Sequence, residues 1–91
     1  MGRLEQKIFK LNDAITALQR EERLVEEELT FHRHLNDDAQ RDAAVSDHPF
    51  DRADARETEG DVARFESSLR ALAARRRKLE DKRDRLLERI R

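Results

Sequence analysis

Ninety-one residues, 45% of them charged and 36% apolar, with no Trp, Tyr or Cys, are too few and too polar for a thick core around an enclosed catalytic pocket. The missing cysteines exclude disulfides, thiolate zinc sites and cysteine nucleophiles. Net charge is only −1, but residues 36–61 carry nine acids against three arginines, residues 70–91 ten bases against four acids, and residues 1–20 four bases against two acids.

From the N-terminus, no apolar run of signal-sequence type precedes the first periodic segment, and no stretch reaches the roughly 20 apolar residues of a membrane span. The composition therefore points to a soluble, cytoplasmic chain. Gln6 stands where a myristoylation motif needs Ser or Thr.

The first half then shows apolar spacing of 4, 3, 4, 3 through Leu4, Ile8, Leu11, Ile15, Leu18, Val25 and Leu29, the heptad signature of a helix that buries one seam. Glu22, His32 and Asn36 interrupt that seam and Ala39 continues it. A helix over 3–45 follows. Phe9, Leu24, Phe31 and Leu35 lie off the seam, as either ordinary surface or a face for a second copy. His32 falls on the seam and His34 does not, so the two are not spaced to ligate one metal, and no metal or cofactor is expected.

The chain's only proline, Pro49, sits in Ser46-Asp47-His48-Pro49-Phe50, and a turn over 46–50 is expected there. Asp51 is a candidate N-cap for the second helix, with Ser46 or Asp47 as alternatives if Pro49 occupies the first turn. From 51 to 91 the spacing resumes through Ala55, Thr58, Val62, Phe65, Leu69, Leu72, Arg76, Leu79, Arg83, Leu86 and Ile90. Gly60 should weaken this helix by about 1 kcal/mol.

The two seams are mirror images. Pairing the first with the second reversed gives residue numbers that sum to 94: Leu4 with Ile90, Ile15 with Leu79, Leu29 with Phe65. The expected fold is all-α, a single antiparallel coiled-coil hairpin over 1–91 in which Glu22 and Arg76 pair across the seam. Two such hairpins could form a homodimeric four-helix bundle. The hairpin has an acidic tip and a basic stem, with Arg75, Arg77, Lys78, Lys82 and Arg85 as candidate docking residues on the stem. Interleaved acids and the lack of stacking aromatics argue against sequence-specific nucleic-acid binding.

The segment Asp47-His48-Pro49-Phe50-Asp51-Arg52-Ala53-Asp54-Ala55-Arg56-Glu57 resembles the coiled-coil tip of the DksA/TraR family, and the hairpin design is also similar to that of the Gre transcript-cleavage factors. The resemblance covers the coiled-coil part only, since no cysteine is present for the family's zinc module. It implies a non-enzymatic transcription regulator that binds bacterial RNA polymerase and inserts an acidic tip into its secondary channel, near the catalytic Mg²⁺. Asp51 and Asp54 would be the tip acids and Ala53 or Ala55 the small tip residue, with Asp47 and Glu57 beside them. The competing expectation is a structural coiled-coil adaptor.

Overall fold

The computed structural model describes residues 2–90, and among them two helices account for nearly everything: α1, Arg3–Val45, and α2, Pro49–Glu88. No strand occurs among the described residues. The architecture is the all-α helical hairpin expected from the two heptad stripes.

The boundaries of α2 differ from those read off the sequence. Pro49 and Phe50 belong to the helix rather than the turn, because the carbonyl of His48 accepts from the amides of Asp51 at 3.1 Å and Arg52 at 3.4 Å. Proline fits the first helical position, since its missing N–H would have no intrahelical partner there and its fixed φ is already helical. At the other end α2 stops at Glu88, not 91. Two tighter bonds, Arg89 N to Leu86 O at 3.2 Å and Ile90 N to Leu87 O at 3.1 Å, close the last turn in 3₁₀ fashion. Ile90, beyond the end of the helix, is 47% exposed. Arg91 lies outside the described residues.

The chain divides into two compact units, Met1–Arg23 with Arg70–Arg91, and Leu24–Leu69. In the first, the stem unit, Ile8, Ile15 and Leu18 are buried, while Leu11, Leu72, Leu79 and Leu86 are half-buried. Glu22 and Arg76 form the expected cross-seam pair, with Arg76 Nε donating to Glu22 Oε2 at 2.7 Å. The same guanidinium donates from Nη1 to Glu80 one turn further along α2. The hydrogen bond to Glu22, and then that to Glu80, hold Arg76 above the ordinary arginine value, against the opposing effect of burial. A raised arginine value gives stability that is complete below the unfolded value and lost only above the folded one, so this side of the pair does not change with pH near neutrality. Arg83 also crosses the seam, donating from Nη1 to Asn12 Oδ1 at 3.3 Å.

In the second, the tip unit, Leu29, Ala39 and Ala55 are buried. His32 stacks on Phe65 with ring centroids 4.6 Å apart, and Phe31 meets the imidazole edge-on at 5.5 Å. The histidine is thus a seam residue, as its position on the stripe requires, and its Nδ1 is buried without a partner. Thr58 Oγ1 donates to Asn36 Oδ1 at 3.0 Å, and Gln40 Nε2 reaches the Ala55 carbonyl at 3.1 Å. Two buried alanines, Ala39 and Ala55, share this layer, and their small side chains leave room for the Gln40 amide to reach the backbone of the facing helix.

These polar contacts report the register within each unit. Residue numbers sum to 94 for Asn36–Thr58, 95 for Gln40–Ala55 and Asn12–Arg83, 97 for His32–Phe65 and 98 for Glu22–Arg76. All lie within about one helical turn of the mirror rule.

Gly60 is a half-buried interior residue of α2, and a Cβ added there would meet nothing closer than Arg64 Nη1 at 3.7 Å. With space available and a helical backbone, Gly60→Ala should raise stability by about 0.5–1 kcal/mol. Urea denaturation of the two proteins measures this directly.

Candidate functional site

The tip is built by the three residues between the helices and the first two turns of α2. Ser46 N donates to Asp42 O at 3.0 Å, which extends the α1 hydrogen-bond ladder by one residue. Ser46 Oγ then accepts from His48 N at 3.1 Å, and His48 Nδ1 accepts from Phe50 N at 3.1 Å. His48 is therefore the residue that caps α2, through both its carbonyl and its ring, and not Asp51, Ser46 or Asp47. Asp, Asn, Ser and Thr are the usual N-caps because a short side chain carries an acceptor to the second or third amide. An imidazole with an unprotonated Nδ1 does the same here. Arg52 Nη1 completes the frame by donating to the Asp47 carbonyl at 2.7 Å. A turn whose amides and carbonyls are partnered in this way holds its side chains in fixed directions.

Those side chains separate into presented and withheld groups. Asp47, Ala53, Asp54 and Glu57 are exposed, Asp51 is half-buried, and Ala55 is buried at 5% exposure. Ala55 belongs to the seam and cannot be the small residue offered to a partner, because its methyl faces the other helix; Ala53 is the small exposed one. Asp51 stands at the third helical position, where a negative charge is favoured by the unpaired amides and the helix macrodipole. Among the described residues, no basic nitrogen comes within 4.0 Å of the carboxylates of Asp47, Asp51, Asp54 or Glu57. The nearby acids that are paired, exposed Asp38 with Arg41 and half-buried Asp61 with Arg64, bond along their own helices.

Two exposed apolar residues frame the same turn: Val45, the last residue of α1, at 88%, and Phe50, the second residue of α2, at 72%. Sequence reasoning passed over both. Val45 follows three small or polar residues and carries no periodic signal. Phe50 falls within the expected turn 46–50, where heptad spacing assigns it no helix face. The available signal was Pro49, which by marking the first helical position places Phe50 and Asp54 four residues apart on one helix face.

In the stem unit Arg75, Arg77, Lys78, Lys82 and Arg85 are all exposed, and none forms an ion pair among the described residues. Arg76 and Arg83, interleaved with them, are turned to the seam. On α1, Phe9, Leu24, Phe31 and Leu35 are exposed as their off-seam positions require. No group of three or more potential metal ligands converges among the described residues. No helix is long and apolar enough to cross a membrane. Compared with known proteins, the chain matches no family model, no curated protein and no solved structure.

Proposed function

We propose that this chain is a non-enzymatic, cytoplasmic regulator of transcription that binds bacterial RNA polymerase and offers its tip to the secondary channel. The observation that carries the reading is the set of unpaired carboxylates, Asp47, Asp54 and Glu57 exposed and Asp51 half-buried, on a turn pinned by its own hydrogen bonds. Mg²⁺ takes oxygen ligands and is commonly held by one or two carboxylates, with its remaining positions open to water or substrate. A tip acid brought to such an ion from outside can join its shell or orient a bound water. The resemblance of residues 47–57 to the DksA/TraR tip supports this assignment. The exposed, unpaired cations of the stem give a second surface for docking a partner.

A second reading, a coiled-coil adaptor that assembles into a four-helix bundle, is favoured by the exposed stripe of Leu24, Phe31 and Leu35 in the tip unit. The two differ in the partner they require. The chain, immobilised through a C-terminal tag, should retain purified polymerase from its host at micromolar concentrations, and free chain should compete it off. Absence of retention would leave the adaptor reading.

A further inference from the structure

The stem unit contains a shallow pocket of about 270 Å³ lined by Lys7, Lys10 and Leu11 from α1 and by Lys82 and Leu86 from α2. Its construction is symmetrical, for Lys7 precedes Leu11 by four residues and Lys82 precedes Leu86 by four, so each helix supplies a leucine with a lysine one turn away. Leu11 and Leu86 are half-buried seam residues and form the floor, while the three lysines are exposed and stand at the rim. Among the described residues none of the three ammonium groups has a carboxylate within 4.0 Å. The volume falls just under the roughly 300–1,000 Å³ of small-molecule sites and suits one aromatic side chain better than a cofactor.

The occupant such a pocket recognises is an apolar group flanked by carboxylates, and the tip of this chain has that chemistry. Phe50 is 72% exposed, Asp54 lies four residues on along the same helix, and Asp47 precedes the cap. We infer that the stem pocket receives the tip of a second copy of this chain, Phe50 resting on Leu11 and Leu86 while Asp47 and Asp54 meet Lys7, Lys10 and Lys82. The charge balance of the two regions agrees: −6 over residues 36–61 against +6 over 70–91 and +2 over 1–20. Aromatic anchors surrounded by charged rims are the usual centre of specific interfaces. The contact stands whether or not polymerase is a partner, and a chain engaged in this way has its tip occupied.

Sedimentation velocity between 10 µM and 1 mM tests it, with far-UV circular dichroism confirming that each variant remains helical. Wild type should associate in low salt and weaken about tenfold or more in 1 M salt, where the Debye length shrinks to about 3 Å. Phe50→Ser should weaken association by about tenfold or more. Lys10→Glu with Lys82→Glu, and separately Asp47→Lys with Asp54→Lys, should each stay monomeric alone, yet the two variants mixed should associate, because the unchanged tip of the first meets the unchanged pocket of the second and the reversed pocket meets the reversed tip. A strictly monomeric wild type at 1 mM, or a mixture that fails to associate, would overturn the inference. Association that survives Phe50→Ser and both charge reversals would also overturn it and assign self-contact to the Leu24–Phe31–Leu35 stripe instead.

Discussion

Leu29→Ala should destabilise the chain by about 2–4 kcal/mol, enough to leave a substantial unfolded fraction at 37 °C. Leu29 is 3% exposed and is the largest buried side chain of the tip unit, whose other buried residues are the two alanines. Truncating a buried leucine loses the transfer energy of the missing carbons and adds a cavity term, because the surroundings close in only partly. A two-helix seam has little with which to offset such a loss. Among the described residues six are buried apolar side chains, two of them alanines, whereas even a well-packed domain retains only about 5–15 kcal/mol. The informative control is Phe31→Ala, which removes a larger side chain from a 59% exposed position and should change stability by no more than about 0.5 kcal/mol. Equal losses for the two would mean that Phe31 is covered in solution. Thermal and urea unfolding at a protein concentration below any self-association separate these outcomes.

The seam was legible because a heptad stripe has one physical meaning when it occurs twice with a breaking proline between. Mirror symmetry then fixes which layer faces which, and the Thr58–Asn36 hydrogen bond falls on the expected layer. Glu22 and Arg76 were legible for a related reason: two opposite charges within one turn of facing layers gain a charge-assisted hydrogen bond by pairing. Other features rest on information the stripe does not contain. Proline is equally at home in a turn and at the first helical position, so Pro49 alone could not decide where α2 begins. Ala55 satisfied two descriptions at once, seam layer and small tip residue, and burial decides between them. Ile90 keeps the period after the α-helix has ended at Glu88, a boundary the stripe itself does not mark. The lysine-rimmed pocket joins residues some 75 positions apart in sequence that share no motif, and only the folded hairpin puts them together.

The tip prediction follows from separating what each acid does for the fold from what it offers outward. On the proposed function, Asp51→Asn with Asp54→Asn should abolish the effect of the chain on transcription, by tenfold or more at matched occupancy, while leaving polymerase binding within about twofold. Asp51 contributes to stability through the first-turn dipole, worth about 0.3–1 kcal/mol at most sites, and Asp54 lies beyond the first turn, where that effect has faded. The pair should therefore lower stability by only about 1 kcal/mol, far less than Leu29→Ala, and the hairpin should remain folded. Asparagine keeps the size and one oxygen of each side chain but removes the charge, so loss of activity without loss of binding would place the negative charge itself at the polymerase active centre. The assay is promoter-dependent transcription with the host polymerase, run at a few micromolar protein so that contact between copies is minor. Phe50→Ser serves as the companion variant, since it leaves both carboxylates in place while removing the apolar anchor. If the double asparagine variant keeps full activity while Phe50→Ser loses it, the tip works as an apolar docking element and the Mg²⁺ reading falls. If neither changes transcription, or the wild-type chain has no effect on it, the carboxylates serve solubility and the helix terminus alone, and the adaptor reading takes its place.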